Sequence, residues 1–269
     1  MKLFVGNRAS FIKPYYKIFS NDDLVVTNKN SKLDVFASER SLRIKYYKDR
    51  NTLLEILENA NFEILFSAGC PYILPVKSKM FENKTLINTH PSLLPKFPGV
   101  HCITEAMYKG GPFGTTIHTM GEIADSGRLI AQKQITVPSE LIASEIYELI
   151  FKEEEKLILD SIVPERFDYQ NIDFKSLNYI SPEATNFRRN LFFREIKPTM
   201  SIREIEKRVK ILNVKNHYAF IDQNNAKSFI TSISLHHIKK SINSNNDFIE
   251  YQAKDGIIYL QTINMNSEN

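Results

Sequence analysis

Short continuous apolar runs alternate with longer stretches of helical spacing through the first two-thirds of the chain. Residues 2–5, 23–27, 62–67 and 85–89 are runs of the kind that fill a buried strand. Between them, residues 51–59 place Leu53, Leu54, Ile56 and Leu57 at helical intervals, and residues 70–76 form a turn bounded by Pro71 and Pro75. Residues 103–108 predict a short helix closed by Gly110 and Gly111. Residues 113–120 and 128–137 predict two further strands, joined by a loop that carries Asp125 between Gly121 and Gly127. Ser139 caps a predicted long amphipathic helix that ends near Ile162, before Pro164. This alternation predicts an α/β sheet with helices on both faces.

From Asp168 the pattern changes. Residues 178–190 read as loop, and residues 201–212 as a basic amphipathic helix with Ser201 and Glu204 spaced for a capping box. Residues 219–221, 228–235, 247–253 and 256–263 read as short strands broken by Asn-rich turns. The expected organisation is a catalytic domain over residues 1–180 and a small β-rich domain over residues 181–269.

Charge and cysteines narrow the class. The formal net charge is +4. Residues 1–180 carry 22 basic and 22 acidic side chains, whereas residues 181–269 carry 13 and 9. The excess in the tail suits an anionic partner, a nucleotide diphosphate or a polynucleotide, and equally a solvated basic face. No run of about 18 apolar residues exists, so no membrane span is expected. Residues 1–5 lack the long apolar region of a signal peptide and read as a first strand, which leaves the glycosylation-like Asn83-Lys84-Thr85 without use. Cys70 and Cys102 stand apart, without a CxxC pair, as reduced thiols of a cytoplasmic protein do. Neither a disulfide nor a metal site is indicated.

The candidate chemistry sits at the end of the run at 85–89. Positions i and i+2 of a strand share a face, so Asn88 and His90 project together while Thr89 points away. An amine attacking a carbonyl carbon generates an oxyanion and a surplus proton. An amide donates to the oxyanion without changing charge, an imidazole adds a second donor, and a carboxylate such as Asp125 orients the imidazole and takes the amine proton. Neither Ser92 nor Cys102 sits in a nucleophile elbow, which favours direct transfer to an amine. The same residues also fit a proline-stopped strand end, an ordinary Asp turn and, for His118, a core histidine with its hydrogen bonds met.

Residues 88–95 (Asn-Thr-His-Pro-Ser-Leu-Leu-Pro), 114–118 (Gly-Thr-Thr-Ile-His) and 125–132 (Asp-Ser-Gly-Arg-Leu-Ile-Ala-Gln) resemble the signature of the 10-formyltetrahydrofolate-dependent formyltransferases. That family includes glycinamide ribonucleotide, methionyl-tRNA and nucleotide-sugar formyltransferases. The resemblance is strong over residues 62–137 and holds in general order over 1–180. It implies a Rossmann-like domain with a mixed, mostly parallel sheet, and a catalytic triad of Asn88, His90 and Asp125. It implies 10-formyltetrahydrofolate as co-substrate, no metal, and a supporting role for His118 at the Asp125 loop. Residues 68–75 resemble the family's hinge, where main-chain groups at Tyr72 and Leu74 meet the pterin. Gly121, Ile123 and Ala124, with His118, would line the rest of that cofactor pocket. Two stretches depart from the family: residues 5–8 (Val-Gly-Asn-Arg) lack a fuller Gly-rich turn, and residues 20–50 follow no family pattern.

The segment 92–99 looks most like that of sugar N-formyltransferases, where it faces the amino sugar, which points to Ser92, Leu93, Lys96 and Phe97. The resemblance therefore implies a dTDP-linked amino-dideoxysugar as acceptor, with dTDP-4-amino-4,6-dideoxyglucose preferred, in O-antigen or other lipopolysaccharide synthesis. Alternatives are a dTDP-3-amino-3,6-dideoxyhexose, an initiator methionyl-tRNA, or a folate-binding regulatory module without catalysis. A homodimer is expected, with neither a nucleic acid nor a membrane as partner. Arg188, Arg189, Arg194 and Lys197, interleaved with Phe187, Phe192 and Phe193, suit a diphosphate and a base, or simply an amphipathic segment with solvated charges.

Overall fold

The continuous apolar runs become the middle of a sheet in the computed structural model of the chain. It describes every residue except 17–18, 163–171, 186, 188–190, 224–225, 236–246 and 264–269. Eight strands, β1 (Lys2–Gly6), β2 (Leu24–Thr27), β3 (Ile44–Tyr46), β4 (Ile64–Ala68), β5 (Thr85–His90), β6 (Phe113–Thr119), β7 (Gly127–Ile135) and β8 (Tyr179–Ile180), lie in the order β3-β2-β1-β4-β5-β6-β7-β8. Neighbours from β3 to β5 pair parallel; β5 with β6, β6 with β7 and β7 with β8 pair antiparallel. The fold is thus α/β with a mixed, mostly parallel sheet, and strand β5 is where direction changes.

Helices α1 (Ile12–Tyr15), α2 (Lys32–Ser38), α3 (Arg50–Glu58), α4 (Cys102–Lys109) and α5 (Ala143–Ile162) connect these strands. The predicted helix at 51–59 forms as α3, because Asp49 and Thr52 close a capping box. Helix α5 starts at Ala143, four residues after the expected Ser139 cap; the Glu145 carboxylate accepts from the Ile142 N–H at 2.9 Å there. Residues 20–50, which matched no pattern, fold as β2, α2 and β3. Ser31 caps α2 by accepting from the Asp34 N–H, and β3 is a sheet edge with little burial, which is why its hydrophobic signal is weak. The predicted loop at 178–190 opens with β8, paired to β7 through Gly127 with Ile180 and Arg128 with Tyr179.

The chain divides into two compact units. The first comprises Met1–Cys102, Pro112–Thr136 and Leu149–Thr185. Its sheet carries one core on each face: Phe4, Phe66, Ile87 and Ile117 pack with Ile158 and Ile162 of α5, while Leu3, Val5 and Leu65 pack with Leu53 and Leu57 of α3. The second comprises Ile103–Gly111, Val137–Glu148 and Asn186–Asn269. It therefore includes two segments that lie before residue 181 in the chain. It contains α6 (Leu191–Arg194), α7 (Ile202–Leu212) and an antiparallel sheet of β9 (Ala219–Gln223), β10 (Ala226–Ser234), β11 (Asp247–Ala253) and β12 (Gly256–Ile263) in the order β11-β12-β10-β9. Ser201 and Glu204 form the expected capping box of α7, whose Ile205, Val209 and Leu212 join Ile230, Ile258 and Leu260 in its core. Among the described residues no helix is long and apolar enough to cross a membrane.

Candidate active site

Strand β5 delivers Asn88 and His90 to one face at the C-terminal end of the parallel half of the sheet. The antiparallel register with β6 sets Asn88 opposite His118 and His90 opposite Thr116. Asn88 stays half-buried, while His90 and His118 are buried. Asn88 and His118 touch, with the amide Nδ2 3.2 Å from the ring Nε2.

The polarity of that contact follows from the ring's other side. His118 Nδ1 lies 2.8 Å from the Thr119 carbonyl oxygen, an acceptor only, so Nδ1 carries the proton. Burial pushes the His118 pKa below the ordinary histidine value; the Thr119 carbonyl opposes this, and the charge on nearby His90 adds to it. The ring is neutral, its Nε2 is a bare acceptor, and the Asn88 amide donates one N–H to it. The second amide N–H is thereby aimed by a fixed partner.

His90 has the opposite state. Its Nε2 lies 3.1 Å from the Phe97 carbonyl oxygen, and its Nδ1 3.4 Å from Asp125 Oδ1. Both nitrogens face acceptors, so both hold protons. Burial works against the charge, but the Cys102 sulfur, the Asp125 carboxylate and the Phe97 carbonyl outweigh it and raise the pKa to about 9. At neutral pH the site pairs an imidazolium with a neutral imidazole on adjacent strands.

Two loops make this possible. Residues 91–99 fold back over β6: Thr116 Oγ1 donates to the Ser92 carbonyl at 2.7 Å and accepts from the Leu94 N–H at 3.2 Å. Gln132 Nε2 donates to the Leu94 carbonyl at 2.7 Å. The fold-back brings the Phe97 carbonyl onto His90. The second loop holds Asp125 at φ +62°, a conformation Asp tolerates, with Asp125 Oδ2 accepting from the Gly99 N–H at 2.6 Å. Gly127, at φ +139°, closes that loop where a Cβ would lie 1.8 Å from the Thr119 oxygen, so no other residue fits.

The structure brings Asn88, His90, His118 and Asp125 together. His118 also faces the backbone of Ser126 in the Asp125 loop, but its main side-chain partner is Asn88 rather than Asp125. Among the residues expected to face a sugar, Ser92 is buried with its hydroxyl on the Lys96 carbonyl at 2.8 Å, and Leu93 packs against Gly114. Phe97 is buried and contributes its carbonyl; Lys96 is exposed. These are mostly loop-building residues.

The hinge segment lines a groove of about 590 Å³ bounded by Arg50, Ile73, Leu74, Pro75 and Val76, with the Lys77–Glu122 ion pair at 2.8 Å. The Tyr72 ring lies edge-on to Tyr47, at 6.0 Å between ring centroids, which leaves open what its main chain meets. Glu122, not Gly121, Ile123 or Ala124, forms the part of this groove's lining drawn from the Asp125 loop, and the buried His118 does not line it. In the second unit, Arg194 donates to the Tyr218 carbonyl at 2.9 Å and Lys197 pairs with Glu195 at 3.5 Å. Phe187 and Phe193 pack together, at 5.3 Å. Arg188 and Arg189, and the side chain of Phe192, lie outside what the structure describes. Thr116 and Gln132 were missed as functional residues; both stand inside the signature segments, but spacing alone assigns a loop-pinning hydroxyl or amide no role. Among the described residues, no three His, Cys, Asp or Glu side chains gather as a metal ion requires.

Comparison with known proteins extends this picture. A family model described as formyl transferase matches residues 21–162, more than half the chain. A phosphoribosylglycinamide formyltransferase of Bacillus subtilis is 40% identical over 105 residues, which are 39% of this chain and 54% of that protein. The chain spans about half or less of the length of the curated relatives it matches. A 4-N formyltransferase from Francisella tularensis superposes with a TM-score of 0.63 at 21% identity, covering 88% of this chain and 98% of that one. An N-formyltransferase from Helicobacter canadensis, solved with folinic acid and dTDP-3-aminofucose, superposes with a TM-score of 0.65 at 18% identity, covering 97% and 99%. At these identities the superpositions establish the fold alone. The family model, by contrast, covers the signature strand, its loop and Asp125 in one continuous match: the chain belongs to the formyl transferase family.

Proposed function

We propose that this protein transfers the formyl group of 10-formyltetrahydrofolate to the amine of a dTDP-linked amino-dideoxysugar. The observation that carries the reaction is the aimed amide: Asn88 gives one N–H to neutral His118 and keeps the other for a formyl oxygen. The formyl folate supplies the electrophilic carbon, and its flat ring suits the groove at Ile73–Val76, where apolar side chains stand beside Arg50 and the Lys77–Glu122 pair.

In this reading Asn88 and the His90 cation stabilise the negative charge that develops on the formyl oxygen as the sugar amine attacks. A donor such as the Asn88 amide is often worth about 3 kcal/mol of barrier, whereas His90, whose two N–H groups go to Phe97 and Asp125, acts through its charge. Asp125 holds His90 charged and accepts the proton released from the amine, which then passes to the departing folate nitrogen as the carbon–nitrogen bond breaks. His118 and Thr116 act on position, the first by fixing the Asn88 amide and the second by pinning the loop that carries Phe97.

The acceptor rests on different support. Solved structures described as sugar N-formyltransferases cover 88% and 98% of this chain, while a phosphoribosylglycinamide formyltransferase from Anaplasma phagocytophilum covers 60% of it. The neighbours include one described as a 4-N formyltransferase and one bound to dTDP-3-aminofucose. We take dTDP-4-amino-4,6-dideoxyglucose as the first acceptor and a dTDP-3-amino-3,6-dideoxyhexose as the second. The test is incubation with 10-formyltetrahydrofolate and, in separate arms, both sugars, glycinamide ribonucleotide and initiator methionyl-tRNA. Formylation of a sugar supports the reading. Formylation of the ribonucleotide or the tRNA alone overturns the acceptor, and folate binding without any product overturns catalysis.

A further inference from the structure

The face of β5 opposite Asn88 and His90 carries a buried charge that the reaction scheme does not use. Glu154, on α5, is 0% exposed. Its Oε2 lies 3.4 Å from Arg8 Nη2 and 3.4 Å from Thr115 Oγ1. Arg8 in turn donates to the Thr89 carbonyl at 3.0 Å, and Thr115 Oγ1 lies 3.4 Å from the His90 carbonyl. Thr89 C=O and His90 C=O belong to the two peptide groups that flank the His90 α-carbon. The guanidinium binds the carboxylate and the Thr89 carbonyl together, while the Thr115 hydroxyl, with one proton to give, lies equally near the carboxylate and the His90 carbonyl.

We infer that Arg8, Glu154 and Thr115 form a positioning network that sets the orientation of His90, and with it the Asn88 amide, from the inner face of the strand. This rests on the reading of Asn88 and His90 as the groups that meet the formyl oxygen. It also accounts for the departure of residues 5–8 from the family's Gly-rich turn. Arg8 points inward, its guanidinium 4.7 Å from the centre of the Phe151 ring and its stem against Gly69, so that turn is a structural clamp in this chain.

A purely stabilising role fits poorly. Arg8 Nε, Glu154 Oε1 and Thr89 Oγ1 are all buried without a hydrogen-bond partner, and a buried pair left this incomplete returns little net stability against an apolar pair of similar size. What the network does hold well is main chain beside the reacting groups.

The test replaces the pair by an apolar one, Arg8→Met with Glu154→Leu, and measures thermal midpoint, kcat, KM for both substrates and the His90 ring-carbon resonance against pH. The expected result is a midpoint within a few degrees of wild type, KM values within about twofold, kcat lower by about 10- to 100-fold, and a His90 titration displaced towards lower pH. Unchanged kcat and unchanged His90 titration in the folded double variant overturn the inference. If the double variant does not fold, Glu154→Gln keeps the shape of the site and is expected to lower kcat by about tenfold with KM unchanged; wild-type kcat there also overturns it. If the wild-type protein transfers no formyl group to any amine, the functional reading fails instead, and the His90 titration, displaced or not, still decides the network.

Discussion

Strand β5 presents two polar faces within three residues, and they are built on opposite rules. On the outer face, Asn88 and His90 meet partners that leave something over: one amide N–H beyond His118, and a full positive charge shared between Asp125 and Phe97. On the inner face, Thr89 meets a buried ion pair whose leftover polar atoms have no hydrogen-bond partner. A reactive surface is recognised by unspent hydrogen-bonding capacity where a substrate can reach it, whereas a buried scaffold leaves its own capacity where none can. The half-buried Asn88 and the fully buried Glu154 differ in just this respect.

The sharpest way to break the comparison is Asn88→Ala. Loss of the aimed amide should lower kcat by about 100- to 1,000-fold while folate affinity stays near wild type. A variant that binds folate poorly but turns over normally at saturation would place Asn88 among the binding groups and remove the outer face's claim to chemistry. Asp125→Asn follows, with an expected loss of about 100-fold. Its distinguishing sign is electrostatic, because one of the groups that hold the imidazolium is lost and the His90 pKa should fall below about 9, while the Cys102 sulfur and the Phe97 carbonyl still raise it. Wild-type turnover with a displaced titration would separate Asp125's hold on His90 from proton transfer.

Most of the outer face was legible in the sequence, and almost none of the inner one. Period-2 geometry alone put Asn88 and His90 together and Thr89 behind them, and the glycines around Asp125 marked a tight loop. Most strands followed from the apolar runs, and the mixed sheet from the family resemblance. What could not be read was long-range. Arg8, Thr115 and Glu154 are separated by up to 146 positions in the chain and meet only because α5 packs on the inner face. The same holds for Thr116 and Gln132, whose hydrogen bonds to the 91–99 loop depend on register across β6 and β7. Residues 44–46 hid for another reason: an edge strand needs too little burial to leave an apolar trace.

The two histidines make the outer face sensitive to pH in a defined direction. His90 has its pKa raised in the folded protein from 6.5 to about 9, so the stability from its charge is fully present below about 6.5 and is lost as pH rises through about 9. His118 has a lowered pKa, so its contribution is present above about 6.5 and is lost as pH falls through the folded value. The thermal midpoint of wild type relative to His90→Gln should therefore be highest near pH 6.5 and shrink towards pH 9, measured by melts in one buffer series. The kcat profile should fall over the same upper limb, by about tenfold for each pH unit beyond it. A difference that does not change between pH 6.5 and 9.5 would mean that His90 is neutral in the folded protein and the contrast with His118 is absent.

Thr89→Val is the smallest and most discriminating change, because it lies between Asn88 and His90 and alters only the inner face. The Thr89 hydroxyl is buried and unpaired, while its carbonyl, which the substitution keeps, accepts from Arg8. Removing an unsatisfied buried hydroxyl costs no hydrogen bond and relieves a desolvation cost of about 1 kcal/mol, so stability should be unchanged or slightly higher. Turnover should stay within about twofold of wild type, since Arg8 still grips the same main-chain oxygen. Melting curves and saturation kinetics on the one variant check both. If kcat drops by tenfold or more while the protein melts normally, the side chain at position 89 takes part in orienting the site, and the division of β5 into a reactive face and a supporting one is drawn in the wrong place. If both hold, the inner face acts through main chain and charge, and the hydroxyl between the two side chains proposed to meet the formyl oxygen is a bystander.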